Sequence, residues 1–257
     1  MAIIDKLTAI GDAIREKTGG TAELTLDQMV TEIGGISGGG GDTTTEDALI
    51  QGGLTNYSDS DLELVGKYAF SSLQNLKTVD LPNVKSVDND GFLNCFNLET
   101  VNIPNVISIY GTAFKFCNKL TSIDFPVLST LHGTNTFNSC EMLTSVVFPN
   151  LTSWSTYTFN TCKNLKKVDL YKVTTIPNHT FTYCSNLTTL ILRNTAGAVT
   201  LTATNAFLST PFNDTPIPSE ACIYVPDELV EDYKVATNWV TYANQIKPLS
   251  EYVEVTE

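Results

Sequence analysis

FLNCFNLETVNIPNVISIY, residues 92–110, and FKFCNKLTSIDFPVLSTLH, residues 114–132, are consecutive copies of one unit. Each copy opens with a phenylalanine, and a cysteine follows three positions later. A leucine stands six positions after the phenylalanine and begins an L-x-x-Φ-x-Φ segment, in which Φ is an apolar residue. A unit this short cannot bury its apolar face alone, so the units must stack on one another. The opening phenylalanine recurs every 22 or 23 residues as Phe70, Phe92, Phe114, Phe137, Phe159 and Phe181.

This period decides the fold class. A fixed spacing of roughly 20–29 residues with an L-x-x-L-x-L core is typical of a leucine-rich-repeat solenoid. The sequence therefore predicts an α+β repeat solenoid, built as a stack of 22- and 23-residue coils. We expect a short helical module before the stack. We also expect a cap of strand and helix after it, because an end coil must cover apolar surface.

The units resemble the BspA-like class of bacterial leucine-rich repeats, whose pattern runs roughly aF-x-x-C-x-x-L-x-x-Φ-x-Φ-P. The resemblance covers about residues 62–216. The run IYVPDELVEDYKVATNWVTYANQIKPL, which follows, resembles the C-terminal cap of the same class. Proteins of this class are mostly cell-surface or phage-associated binding proteins, and none of the matched residues is catalytic in the family. The resemblance implies a non-enzymatic scaffold for recognition.

Residues 1–35 predict two amphipathic helices. The first ends at Gly19-Gly20, and the capping box Thr25-Leu26-Asp27-Gln28 begins the second. Each helix has a single apolar stripe, which is too little for a core of its own, so we expect a partner to cover it. The residues predicted to attach the chain or to make it oligomerise are Ile3, Leu7, Ile10, Ile14, Leu26, Met29, Val30 and Ile33.

The segment LTAIGDAIREKTGG followed by LTLDQMVTEIGGI resembles a small helical module at the start of many tail and other structural proteins of phages and prophages. That resemblance implies attachment or oligomerisation in a virion. Docking of a helical hairpin onto its own solenoid is the alternative. The predicted domains are a helical module at 1–35, a Gly/Thr-rich linker at 36–45, the solenoid at 46–216 and a cap at 217–257.

The chain of 257 residues has a net charge of −13, and its acidity is concentrated after residue 216. Such a chain lacks the positive electrostatic potential that attracts phosphate backbones or anionic lipids, so nucleic acid and membranes are poor candidate partners. No apolar run approaches the ~20 residues of a membrane span. The N-terminus also lacks the apolar core of a secretory signal. We expect synthesis in a bacterial cytoplasm and a final location in a virion.

The six cysteines and two histidines predict no cofactor, metal site or catalytic centre. Neither histidine has a nucleophile at motif spacing, and no C-x-x-C motif is present. Neighbouring repeat cysteines could approach disulfide distance, but a buried ladder of reduced thiols is the favoured interpretation. The cysteines at the repeat position are Cys95, Cys117, Cys140, Cys162 and Cys184.

The predicted binding residues alternate with the buried positions of each strand and should point outward. Most are short and polar, which suits a protein loop or a glycan, although outward strand positions are polar in any soluble protein. Val147 and Ile191 interrupt this pattern as apolar contact points. The full set is Thr78, Asp80, Thr100, Asn102, Ser122, Asp124, Ser145, Val147, Lys167, Asp169, Thr189 and Ile191.

Two functions agree with these features. The first is a phage or prophage virion structural or receptor-binding protein, in which residues 1–35 attach or oligomerise the chain and the solenoid binds a virion protein, a host-surface protein or a glycan. The second is a bacterial surface adhesion or interaction protein with leucine-rich repeats. The second hypothesis predicts a secretion or sorting signal, and the given sequence contains none.

Overall fold

The computed structural model describes residues 54–214, 216, 218 and 220–254. The helical module predicted for 1–35, its attachment residues from Ile3 to Ile33 and the linker at 36–45 lie outside the described residues. The strands of the described part, in chain order, are β1 (Asn56–Ser58), β2 (Leu64–Val65), β3 (Thr78–Asp80), β4 (Ser86–Val87), β5 (Thr100–Asn102), β6 (Ser108–Tyr110), β7 (Thr130–His132), β8 (Ser145–Phe148), β9 (Lys167–Leu170), β10 (Thr175–Ile176), β11 (Thr189–Leu192), β12 (Thr200–Leu201), β13 (Cys222–Val225) and β14 (Ile246–Pro248).

Each coil gives one strand to a first parallel sheet and, in most coils, a shorter strand to a second. The first sheet has two parts, β1-β3-β5 and β8-β9-β11-β13-β14. A single parallel bridge between Ser122 and Ser145 stands beside β8, where the intervening coil has no full strand. The second sheet comprises β2-β4-β6-β7 and β10-β12. This arrangement confirms the predicted repeat fold with parallel strands.

Paired residues of neighbouring strands are separated in sequence by one repeat period. Val79 pairs with Val101, and Val168 pairs with Leu190, each 22 residues further along the chain. Equivalent side chains therefore lie directly above one another, and every coil buries the apolar face of its neighbour.

The repeat phenylalanines form one continuous stack inside the coils. From Phe70 to Phe207, successive ring centroids are 4.9 to 5.9 Å apart, with interplanar angles of 3° to 12°. The residue two positions after each phenylalanine from Phe70 to Phe181 has a positive φ, and its N–H donates to the next coil, as from Ser72 to the Leu93 carbonyl at 2.6 Å. Such hydrogen bonds offset the roughly 1–2 kcal/mol that left-handed backbone costs a non-glycine residue.

Two coils differ from the sequence prediction. β1 lies 22 residues before β3 and so begins the sheet one strand earlier than the repeat pattern indicated, with Leu54 buried beneath it. The polar insertion predicted at Asn194–Thr204 contains β12, which pairs with β10 and buries Val199 and Leu201. A strand persists there because the backbone of β10 offers hydrogen bonds to any segment beside it.

The stack ends in the predicted strand and helix. The strand expected at 221–225 is β13, and the described helical content is small: one α-helix, α1 (Val230–Val235), and short 3₁₀ segments such as Trp239–Gln245. The buried Tyr233 hydroxyl accepts a hydrogen bond from Val199 N–H at 2.9 Å, while Trp239 Nε1 donates to the Val199 carbonyl at 2.6 Å. The cap thus satisfies backbone groups that the last coil would otherwise leave unpaired.

Candidate functional site

The outward side of the first sheet presents two rows of side chains, which we call the outer face. Register places Thr78 beside Thr100, Ser122 beside Ser145, and Lys167 beside Thr189. Asp80 and Asn102 are likewise neighbours in the second row. The structure therefore brings most of the predicted residues onto one surface, as the alternation of strand side chains requires.

Hydrogen bonds between strands hold this face in a fixed arrangement. Thr78 Oγ1 donates to Asn56 Oδ1 at 2.6 Å, and Asn102 Nδ2 donates to Asp80 Oδ1 at 2.7 Å. Asn56 belongs to β1 and was missed from sequence, because its strand lacks the L-x-x-Φ-x-Φ pattern: Asp59 stands where the other coils have an apolar residue. Partners meeting this part of the face meet side chains that are already ordered.

Two predicted outward residues are buried. Asp169 is 4% exposed and Ile191 is fully buried, so the expectation that both lie open on the surface is wrong. Ile191 pairs in register with Asp169 on one side and with Tyr224 of β13 on the other. The Tyr224 side chain therefore lies beside Ile191, because β13 extends the sheet beyond the last repeat.

Asp169 is buried as half of an ion pair. Arg193 donates through Nε to Asp169 Oδ1 at 2.8 Å and through a second nitrogen to Oδ2 at 2.9 Å. The hydrogen bond with Asp169 raises the pKa of Arg193, and the guanidinium lies over the Tyr171 ring, 4.9 Å from its centroid. This two-point contact fixes the Asp169 carboxylate and removes it from the binding surface.

A groove crosses the C-terminal half of the outer face. Its volume is about 610 Å³. Strand residues form its floor, and the segment after β14 forms one wall. We call it the lysine groove, because Lys166, Lys167 and Lys247 line it. The other lining residues are Thr144, Ser145, Thr188, Thr189, Glu220, Cys222, Tyr224, Tyr252, Val253 and Glu254.

One predicted residue, Lys167, is bound within the lysine groove by the chain itself. Its Nζ pairs with the Glu254 carboxylate, and the Tyr252 hydroxyl donates to the other Glu254 oxygen at 2.9 Å. The hydrogen bond from Lys167 lowers the pKa of Glu254 and, reciprocally, raises that of Lys167. The Tyr252 ring meets Tyr224 edge to face, with centroids 5.1 Å apart.

No sequence pattern joins these cap residues to the outer face. Lys247, Tyr252 and Glu254 lie outside the repeat, so no periodic position identifies them. Lys166 could have been found, since it occupies the same repeat position as Thr144 and Thr188, immediately before the outward residue of its strand.

The histidines belong to ring stacks. His132 stacks on Tyr110 with centroids 4.6 Å apart, and His179 stacks on Tyr157 at 4.7 Å. Among residues 54–214, 216, 218 and 220–254, no three His, Cys, Asp or Glu side chains gather closely enough to hold a metal ion. Nor does any helix within that part of the chain have the length and apolar character to cross a membrane.

Residues 55–166 and 108–228 match the family model described as the BspA type leucine-rich repeat region, which occurs in six copies. These ranges together span most of the chain. The chain belongs to the BspA-type leucine-rich-repeat family. Proteins of this family are surface and interaction proteins, and leucine-rich repeats generally mediate contacts with other proteins. The expected class is thereby confirmed, and the outer face is the sheet surface that such a repeat exposes.

One solved structure shares the fold. The crystal structure of a leucine-rich repeat protein from T. pallidum superposes with a TM-score of 0.57 at 20% identity, over 65% of this chain and 80% of that one. A leucine-rich repeat protein from Bacteroides ovatus gives a TM-score of 0.49 at 21% identity, over 64% of this chain and 49% of that one. A comparison with curated protein sequences finds no match.

Proposed function

We propose that the chain is a non-enzymatic recognition protein whose outer face binds a protein partner. One observation carries this proposal: the face is a rigid, hydrogen-bonded polar surface that leads into the lysine groove. The bonds of Asn56 to Thr78 and of Asp80 to Asn102 order the side chains before binding. The side chains of the outer face therefore lose less conformational entropy when a partner docks than those of a mobile surface would.

The contact surface follows from burial. Asp80, Thr100, Asn102, Ser122, Asp124 and Val147 are exposed, whereas Thr78, Ser145, Lys167 and Thr189 are half-buried. Val147, at 40% exposure, offers an apolar contact among polar groups. Asp169 and Ile191 hold the face together from within and are not part of the proposed contact surface.

A photo-crosslinking experiment tests the proposal. A benzophenone amino acid placed at Asn102 should crosslink a protein partner in the native setting, and mass spectrometry would identify it. The same group at Thr152, which is exposed in the adjacent non-strand segment, is the matched control. Asn102→Arg should then abolish binding of the identified partner. A partner captured equally at both positions, or unaffected by Asn102→Arg, would contradict a role for the outer face.

The setting we propose is a phage or prophage virion. Its support is the resemblance of residues 1–35 to a helical module of tail and other structural proteins, with Ile3 to Ile33 as the attachment stripes. The ligand is then a virion protein or a host-surface protein, with a surface glycan as a further candidate. The alternative, a bacterial surface interaction protein, agrees equally well with the family.

Fractionation separates the two settings. Cultures that produce the protein would be divided into purified phage particles, cell envelopes and supernatant, and each fraction probed with antibody against the solenoid. Enrichment on particles supports the virion. Enrichment on the envelopes of intact cells, with none on particles, supports the bacterial surface instead.

A further inference from the structure

One wall of the lysine groove is a short segment of the same chain, residues 252–254, which we call the tail. Tyr252 places its ring against Tyr224, and Glu254, two residues later, pairs with Lys167. Val253 between them is 76% exposed. The bound sequence is therefore an aromatic residue, a neutral spacer and an acid, which is the spacing at which an extended peptide presents two side chains on one side.

The charges of the groove suit such a ligand. Three lysines line it in a chain whose net charge is −13. The lining carboxylates are Glu220 and Glu254, and Glu254 is supplied by the tail itself. When the tail leaves, the lining keeps three lysines and one glutamate. A local excess of positive charge on an acidic protein favours an acidic partner and disfavours a basic one.

The tail is held by few contacts. Its Glu254 side chain is 57% exposed, and residues 252–254 have no regular secondary structure. An exposed ion pair contributes little to stability, because solvent screens the charges. A competing peptide with the same two side chains and further contacts to Thr144, Ser145 or Thr188 would therefore displace it.

We propose that the lysine groove binds an acidic peptide segment of a protein partner, of the form aromatic-x-Glu or aromatic-x-Asp, with Lys167 taking the carboxylate that Glu254 now supplies. This inference rests on the proposed function of the outer face and names the chemistry of its partner. The tail acts as an internal competitor. Its removal raises affinity, because the partner no longer has to displace a tethered ligand.

The test uses the full-length chain and a fluorescein-labelled peptide, GSYVEGS, with GSYVQGS as its neutral counterpart. Glu254→Ala should bind the acidic peptide about tenfold more tightly than the unaltered protein, as expected where an attached competitor is lost. Lys167→Ala in the Glu254→Ala background should weaken that binding at least tenfold. Lys85→Ala in the same background should change nothing, since Lys85 pairs with Glu63 on another coil.

Equal binding of the acidic and neutral peptides, or full binding after Lys167→Ala, would overturn the inference. Concentration-dependent dimers of the unlabelled chain that disappear in Glu254→Ala would also overturn it, because the occupant would then be the tail of a second copy. The proposed function is judged separately. If the crosslinker at Asn102 still captures a partner while the peptide fails to bind, the proposed role of the outer face is retained. Only the proposed acidic ligand of the lysine groove is then refuted.

Discussion

At the scale of single residues, one repeat position holds side chains in opposite environments. Asp124 and Asp169 are equivalent positions in different coils, yet Asp124 is exposed and Asp169 is buried against Arg193. Alternation predicts an outward direction for both side chains. It could not predict the burial of Asp169, because Arg193 lies after its own strand has ended, at a position that the other coils do not use this way.

Asp169→Asn should therefore destabilise the fold by about 1–3 kcal/mol, because it leaves the partly buried Arg193 without a charged partner. Asp124→Asn is the matched control and should change stability by less than about 0.5 kcal/mol. Urea unfolding followed by circular dichroism measures both. Equal losses would mean that the Arg193 contact contributes nothing to stability.

The repeat cysteines share one further contact. Each thiol donates to the carbonyl of the phenylalanine one coil earlier, from 2.9 Å for Cys95 to 3.3 Å for Cys117. The structure holds these thiols reduced and buried, in agreement with the predicted ladder. Burial raises the pKa values of Cys117, Cys140, Cys162 and Cys184, which keeps these thiols protonated and unreactive.

Thiol counting tests the ladder. Unfolded, non-reduced protein should give all six thiols. Native protein should react slowly at these sites, at the rate of unfolding. A count of two or fewer after denaturation would show disulfides and contradict the assignment.

At the scale of elements, the L-x-x-Φ-x-Φ pattern predicted most strands of the first sheet, although the coil of Leu120 forms only the bridge between Ser122 and Ser145. Two strands that lack the pattern, β1 and β12, were missed. β1 was missed because Asp59 replaces an apolar residue. β12 was missed because polar residues surround its buried pair, Val199 and Leu201. Such strands form because their backbone groups make hydrogen bonds with a neighbouring strand. The side-chain pattern of a sequence indicates only which residues each coil buries.

The repeat register predicts unequal costs for two kinds of substitution. Leu120→Ala and Leu143→Ala should each destabilise by roughly 2–5 kcal/mol, because both leucines are fully buried and their truncation leaves a cavity. Thr100→Ala should cost less than about 0.5 kcal/mol, since its side chain is exposed. Chemical denaturation compares the three variants. Similar losses at all three positions would show that the register is wrong.

Tyr233 in the C-terminal cap should make the fold less stable at alkaline pH. Burial raises the pKa of Tyr233 to about 12, above its ordinary value of 10. The folded state therefore favours the neutral phenol. The neutral Tyr233 phenol contributes fully to the free energy of unfolding below pH 10. This contribution, roughly 2–3 kcal/mol in all, is lost as the pH rises towards 12.

Tyr233→Phe should remove this part of the pH dependence, although it also lowers stability at neutral pH by leaving Val199 N–H unpaired. Tyr183→Phe, on an exposed turn, is the control. The measurement is the free energy of unfolding between pH 8 and 12. An unchanged slope in Tyr233→Phe would contradict the assignment.

At the scale of the whole molecule, the outer face was predictable and the lysine groove was not. The face follows from a period that each coil repeats. The groove joins Lys167 to residues more than eighty positions later, such as Glu254, through a cap that obeys no period. Sites formed between a repeat and its terminus depend on how the chain folds back, which local patterns do not encode.

The domain organisation also belongs to this scale. Deleting residues 1–41 should leave a folded solenoid, because the repeat coils and the cap share a continuous apolar core from Leu54 to Ile246. We expect the shortened chain to lose self-association or attachment to a particle, which residues 1–35 are proposed to provide. Light scattering measures self-association, and co-sedimentation with particles measures attachment. Undiminished assembly of the shortened chain would refute the proposed role.

The bonds between coils run along the stack, while the strands run across it. A pulling force between residues 54 and 254 therefore loads only one row of strand bonds at a time, so the coils should peel away in turn. Each 22-residue coil would release about 75 Å of extended chain. In a single-molecule experiment this appears as a low, regular sawtooth. A protein built this way would act under shear as an extensible tether, yielding coil by coil before its hold on a partner is broken.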